Sequence, residues 1–236
     1  MSVAALLLGD SRFPAGGHAH SGGVEPAVPA GTVTDLRTLE MFLRGRLQTA
    51  GLVAAGIAAA ACAHEQGNGA RGESGALVRD DYWTLLDAEA DARIPAPAQR
   101  DASRRQGRAL LRAARVAWPE AAGLASLAAS IRGGPHHAVV LGAAAAAAGC
   151  LPLEAARIAA YQAAAGPASA AVRLLALDPM RATGILAGLA GEIDQVAALG
   201  AGYADGAPGD LPCASAPALD LLAETHIRAE VRLFES

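Results

Sequence analysis

The sequence predicts an all-α protein, a single compact domain of about nine to ten helices spanning residues 1–236. Alanine is the commonest residue, and it has the highest helix propensity because it loses no side-chain entropy on ordering. Hydrophobic residues make up 53% of the chain but aromatic residues only 3%, so we expect a core of small aliphatic side chains. No segment has a convincing strand pattern, and alanine and glycine faces allow helices to approach closely.

Caps, breakers and apolar stripes place the helices in order. Asp35 can cap the first helix, Pro95 and Pro97 interrupt the pattern later, and Pro217 opens the last helix at its first turn. The helix over 52–64 is apolar nearly all round, which predicts a central position. The predicted helices cover residues 36–50, 52–64, 82–90, 98–117, 120–131, 136–148, 153–164, 168–177, 180–199 and 217 onward.

Other segments are predicted to lie outside this helical core. We expect residues 1–33 to form an N-terminal motif loop, the glycine-rich residues 66–75 a mobile loop, and residues 200–216 a flexible linker. Residues 217–236 form a C-terminal helix and tail that end on an apolar Leu-Phe pair. Because chain ends usually fray, this pair should dock onto the domain itself or onto a partner.

The composition excludes several classes of function. A net charge of −4 gives no basic field for nucleic acid. All 19 positive residues are arginine, which excludes phosphate loops, Schiff bases and pyridoxal phosphate anchors that need lysine. The 3 cysteines suggest neither a disulfide framework nor a zinc site. Residues 133–153 are the one candidate membrane span, but their composition favours a buried helix, and we expect a cytoplasmic protein.

Four histidines are candidate metal ligands, because imidazole binds nickel and zinc. They are His18, His20, His136 and His137. Neither pair has acidic or cysteine residues at ligand spacing, which favours a structural or hydrogen-bonding role. A serine hydrolase is another hypothesis, since Ser21 lies among glycines as in a nucleophile elbow and His226 is a candidate base. That elbow requires strands, which the surrounding sequence lacks.

The predicted helix 98–117 carries arginines at helical spacing on one face. Arg104, Arg108, Arg112 and Arg115 form this stripe. Two interpretations are open: a solvated helix face, or a docking face for an acidic partner whose carboxylates match guanidinium forks.

Short motifs at both chain ends resemble the UreF family of urease accessory proteins. Residues 10–25 match D-S-x-F-P-x-G-x-x-x-x-S-x-G-x-E, and residues 232–236 read R-L-F-E-S. Three inner segments resemble the family in the same order: 103–111, 136–149 and 169–174. The family residues carried over as a partner interface are Phe13, Pro14, Gly16, Ser21, Gly23, Glu25, Arg173, His226, Arg232, Leu233, Phe234 and Ser236, to which the stripe residues Arg104, Arg108 and Arg112 are added.

The resemblance implies a cytoplasmic, all-α, dimeric urease maturation factor. Such proteins bind UreD (also called UreH) and the GTPase UreG, and together they load nickel and a lysine carbamate into the urease apoprotein. The family member is a scaffold and regulator rather than an enzyme. It has no tightly bound cofactor, and the complex handles the nickel. The alternative is a stand-alone helical nickel-binding chaperone that uses the four histidines named above.

Overall fold

The computed structural model describes residues 3–10, 12–67, 79–229 and 232–234, without the side chains of His18, Arg79 and Asp80. Its helices are α1 Val3–Gly9, α2 Val24–Ala27, α3 Leu36–Arg46, α4 Leu52–Glu65, α5 Arg79–Ala92, α6 Pro97–Ala117, α7 Ala122–Ser130, α8 His137–Ala147, α9 Pro152–Leu175, α10 Pro179–Gly188, α11 Ala190–Ala201 and α12 Pro217–His226. A π-helical turn joins α3 and α4 into one helix, so these residues form eleven α-helices and no strand. The all-α prediction is confirmed, with slightly more helices than expected.

Helix α4 lies at the centre of the domain, as its uniformly apolar sequence predicts. Helices α8, α9 and α11 pack around it. Glycines make this packing close: a Cβ on Gly142 of α8 would stand 2.2 Å from the Ala58 carbonyl oxygen of α4, and one on Gly200 of α11 would stand 2.7 Å from the Ala55 Cβ. Where α8 and α11 cross α4, the helix backbones are therefore in near contact.

Three predicted helix boundaries differ from the structure. The break expected at Gly51 is absent, because the π-helical turn Leu47–Gly51 carries the chain on. The two helices expected on either side of Pro167 are one helix, α9, with the proline inside it. Conversely, the single helix expected over 180–199 is interrupted at Leu189, where α10 gives way to α11.

Pro167 is tolerated within α9 because its neighbours compensate for the lost bond. A proline has no N–H and cannot donate to the carbonyl four residues earlier, which here belongs to Ala163. The Nε of Arg46 donates to that carbonyl oxygen at 3.1 Å. The proline ring is buried, and a Cβ on Gly22 would stand 2.7 Å from its Cγ. Arg46 and Gly22 therefore replace the missing helical contact with tertiary ones.

Among the described residues, one helix is long and apolar enough to span a membrane: Leu36–Glu65, not the segment 133–153 named from the sequence. Within it, 67% of the apolar window is buried inside the domain, as expected for a core helix. The segment 133–153 instead contains the shorter helix His137–Ala147.

Two segments expected to be irregular contain more structure than predicted. The motif loop 1–33 includes α1 and α2, and Gln162 of α9 donates to the Leu8 carbonyl at 3.0 Å. In the linker 200–216, Leu211 is 3% exposed, and the Arg93 guanidinium donates to the carbonyls of Leu211 and Gly209. These contacts attach the segment to the end of α5, and the flexibility expected for it stays a prediction. Most of the predicted loop 66–75 lies outside the described residues.

Candidate functional site

The motifs from the two ends of the chain meet at one place on the domain. The Glu25 carboxylate of α2 accepts hydrogen bonds from two backbone N–H groups of the tail, those of Leu233 at 2.7 Å and Phe234 at 2.8 Å. Hydrogen bonds to an ionised acceptor are about twice as strong as neutral ones. Glu25 therefore fixes the tail in register against the N-terminal motif, 208 residues away in sequence for the first bond.

Phe234 and His226 are the buried members of this site. The Phe234 ring is 7% exposed, and the guanidinium carbon of Arg173 lies 4.2 Å from its centroid, a cation–π contact. The Nε2 of His226 lies 3.1 Å from a Glu25 carboxylate oxygen, without the alignment of a hydrogen bond. Burial lowers the pKa of His226, so its ring is neutral at pH 7.

The N-terminal motif supplies the backbone shape that brings Glu25 to this position. The fully buried Ser21 accepts a hydrogen bond from the Glu25 N–H at 3.3 Å, which helps to start α2. Gly23 has φ +91°, a conformation that L side chains rarely adopt, and a Cβ there would stand 3.3 Å from Leu219 of α12. The motif glycine is thus required both by the turn and by the approach of the C-terminal helix.

The predicted interface residues therefore divide into two groups. Glu25, His226 and Phe234 join the chain ends within the domain, and Ser21 and Gly23 support them. Phe13 packs on Trp118 with ring centroids 6.1 Å apart, while Gly16 adopts φ +74° beside Ala109. Four of the carried-over motif residues are exposed: Pro14, Arg173, Arg232 and Leu233, of which Arg173 also contacts the Phe234 ring. Leu233 is 73% exposed, whereas Ser236 lies outside the described residues.

The arginine stripe of α6 is not one continuous face. Arg104 is half-buried; it contacts Asp87 and Asp91 of α5, each at 2.9 Å, and donates to the Gly134 carbonyl at 2.7 Å. Its charge is therefore engaged by two carboxylates within the domain, unlike a free arginine on a docking face. Arg108 is exposed but donates to the Gly133 carbonyl.

Farther along α6, Arg112 and Arg115 are exposed, and neither forms an ion pair within the described part of the chain. These two are the stripe residues whose charges face solvent unpaired. For Arg112 and Arg115, both interpretations of the stripe stay open: a solvated helix face, or a docking face for an acidic partner.

Sequence reasoning missed the carboxylates that organise this region. His136 is fully buried, with Nε2 2.7 Å from Asp91 and Nδ1 3.0 Å from the Ser103 hydroxyl. Burial lowers the pKa of His136, so the neutral ring donates to Asp91 and accepts from Ser103. Asp87 and Asp91 lie four apart on one helix, where like charges repel unless a cation lies between them. The spacing of Asp87 and Asp91 was therefore the sequence signal that could have predicted a cation, here Arg104, between them.

The histidine pairs do not assemble into a metal site among the described residues, which contain no cluster of three His, Cys, Asp or Glu side chains with suitable geometry. Both ring nitrogens of His136 are engaged by neighbours. Burial, with His20 nearby, lowers the pKa of His137 to about 4. The His18 side chain lies outside the described residues. Among the described residues, His20, His136 and His137 therefore do not form a metal site.

Comparison with known proteins decides the family. Residues 33–190 match the family model named UreF. A urease accessory protein UreF of Mycobacterium sp. strain JLS is 46% identical over 98% of this chain and 97% of its own length. Those of Mycolicibacterium vanbaalenii and Mycobacterium tuberculosis are each 44% identical over 98% and 100% of this chain, and over 97% and 99% of their own lengths.

The chain belongs to the UreF family. Its members are accessory proteins rather than enzymes, which rules out the serine hydrolase hypothesis for Ser21. The structure agrees, since Ser21 is fully buried and its hydroxyl oxygen accepts a hydrogen bond at the start of α2. The family model ends before the C-terminal motif, but the full-length relatives extend through it.

Proposed function

We propose that this UreF chain is a scaffold and regulator of urease maturation in the cytoplasm. It acts as a dimer that joins UreD (UreH) and the GTPase UreG to the urease apoprotein while nickel is inserted. One observation carries the proposal: 44% to 46% identity to urease accessory proteins over nearly the whole length of both chains. Such coverage extends the comparison to surfaces as well as to the core.

The chemistry of the chain supports a scaffold that leaves GTP hydrolysis to its partner. All 19 positive residues are arginine, so the lysine that a phosphate loop uses to hold the β- and γ-phosphates is missing. The isolated chain should therefore neither bind nor hydrolyse GTP. Saturable binding of a labelled GTP analogue to the purified protein would contradict this part of the proposal.

The exposed residues near the joined chain ends and on α6 are the proposed partner contacts. Leu233 presents a large apolar side chain to solvent although its own backbone is fixed by Glu25, so a partner can bury it without an ordering cost at that residue. Arg112 and Arg115 offer guanidinium groups to an acidic surface. Each of these side chains can be changed without touching the core.

Capture of purified UreD and UreG by the tagged chain tests these contacts. We expect Leu233→Ser, and separately Arg112→Glu with Arg115→Glu, to reduce capture at low salt while leaving the circular dichroism spectrum unchanged. Leu199→Ser, an exposed leucine of α11, is the matched control for the apolar change. If both sets capture the partners at wild-type levels, these surfaces are solvated faces and the interface lies elsewhere.

The nickel-chaperone alternative predicts a different result. Tight stoichiometric nickel binding to the isolated chain, abolished by His20→Ala with His137→Ala, would support it over the scaffold proposal. No such binding is expected, because both ring nitrogens of His136 are engaged by Asp91 and Ser103.

A further inference from the structure

A cleft of ≈ 210 Å³ lies where the N-terminal motif, the α3–α4 helix, α6, the start of α8 and α12 meet. It is separate from the contacts between Glu25 and the tail. Both ends of the chain contribute to its walls, through Gly22 and Leu219 among others. The charged and histidine residues that line it are His20, Arg46, Arg93, His136, His137 and Asp220.

Arg46 is a cation of this cleft that lacks a counter-ion. Its Nε is used by the Ala163 carbonyl, and its guanidinium lies against Gly22, where a Cβ would stand 3.2 Å from Nε and 3.3 Å from Cζ. No carboxylate of the described residues lies within 4.0 Å of it, and its terminal nitrogens have no hydrogen-bond partner there. Burial lowers the pKa of Arg46 to about 10, so it stays charged at pH 7.

The other charged groups of the cleft do not neutralise Arg46. Arg93 is held by Glu89 and by backbone carbonyls of the segment 209–212. Asp220 lines the cleft but forms no ion pair with Arg46, and burial raises its pKa. Arg46 is half-buried and its terminal nitrogens stay accessible from the cleft. A partly desolvated cation without a counter-ion is stabilised when an anion binds beside it.

The start of α8 adds a second attraction for an anion. His137 and Ala138, the first two residues of this 11-residue helix, both line the cleft. The first N–H groups of a helix and its dipole favour negative charge. Here the N–H groups of His136 and His137 already donate to Asp87 and the Ser103 hydroxyl, so Ala138 carries the first N–H left for a ligand. Within the described part of the chain, the His137 ring makes no hydrogen bond. It can therefore donate one to a ligand.

We propose that this cleft binds a small oxyanion between the Arg46 guanidinium and the start of α8. The ligand class follows from charge and size. A guanidinium presents paired donors that match carboxylate, bicarbonate or phosphate oxygens. At ≈ 210 Å³ the cleft lies below the roughly 300–1,000 Å³ typical of drug-sized ligands, so a small anion with a few waters fits better than a nucleotide.

Titration of the full-length protein with inorganic phosphate, and separately with bicarbonate, tests the proposal. Isothermal calorimetry should show saturable binding, and the backbone amide resonances of Gly22 and Ala138 should shift. We expect Arg46→Gln to bind at least about tenfold more weakly, equivalent to about 1.4 kcal/mol. The matched control is Arg108→Gln, an exposed arginine that does not line the cleft, and it should bind as the wild type does.

Arg46→Lys provides a second variant in case Arg46→Gln does not fold. It keeps the charge but loses the paired donors, so we expect folded protein with intermediate affinity. Equal affinity in wild type and Arg46→Lys, or shifts confined to residues outside the cleft, would overturn the proposal. So would the absence of saturable binding by either anion at millimolar concentration.

Discussion

Replacing Glu25 with alanine should release the C-terminal tail without unfolding the domain. The carboxylate accepts two charge-assisted bonds from the tail backbone, and such bonds contribute about 1.5–3 kcal/mol each. Loss of even one corresponds to at least about a tenfold rise in the detached population. Detachment would also expose the Phe234 ring, whose burial is worth roughly 1.5–3 kcal/mol.

Trypsin cleavage after Arg232 is a direct assay for this release. The N–H of the bond to be cut is that of Leu233, which donates to Glu25 and must leave it before the protease can bind. When opening and closing are fast, cleavage follows the open population. We expect the rate at this bond, followed by mass spectrometry, to rise at least about tenfold in Glu25→Ala, with Glu25→Gln intermediate because its amide oxygen remains an acceptor.

Two controls separate tail release from unfolding. Glu40→Ala removes an exposed glutamate that pairs with Arg44 and should leave the rate unchanged. Cleavage after Arg157, within α9, should stay slow in every variant. The reasoning is refuted if Glu25→Ala is cleaved after Arg232 at the wild-type rate.

Three further predictions concern stability. Gly142→Ala would place a Cβ 2.2 Å from a backbone oxygen and should lower the free energy of unfolding by about 1–3 kcal/mol or more, measured in urea melts. Its control is Gly184→Ala, where nothing lies within 4 Å of the added Cβ, and this change should raise the free energy of unfolding by about 0.5–1 kcal/mol. Arg104→Glu would place a third carboxylate beside Asp87 and Asp91 and should lower the free energy of unfolding by about 3–5 kcal/mol. The exposed control Arg112→Glu should lower it by less than about 0.5 kcal/mol. Equal effects of the two changes would contradict the ion-pair network around Arg104. The pKa of His137 is lowered to about 4 in the folded protein, so between pH 6.5 and pH 4 only the unfolded chain binds a proton there. The free energy of unfolding should therefore be highest above pH 6.5 and fall by up to about 1.4 kcal/mol per pH unit on acidification towards pH 4. His137→Gln should flatten that slope; an unchanged slope would show that other groups cause it.

Local sequence signals were sufficient for the helical class and for the central helix. Apolar periodicity marked α4, and proline at the first turn marked α12. They failed at Pro167, because its lost hydrogen bond is compensated by Arg46, more than a hundred residues away. The local sequence around Pro167 contains no sign of this distant partner, so the proline wrongly predicts the end of a helix.

The sequence identified residues of the site but not the contacts between them, for a similar reason. The end motifs identified Glu25 and Phe234 as important, but not that they contact one another. A partner contact and an internal contact require the same residue types, and only the folded chain separates the buried Phe234 from the exposed Leu233. The stripe of α6 shows the same limit, since equal spacing placed Arg104 with Arg112 although only the former faces two carboxylates.

Urease activation in cells tests the central claim most directly. Urease subunits co-expressed with UreD and UreG but without this chain should remain low in activity and nickel content. Adding the wild-type chain should raise both together, and adding Leu233→Ser should restore them less well at equal soluble amounts. Full activation without this chain, or no gain in nickel content when it is added, would contradict a role in urease maturation.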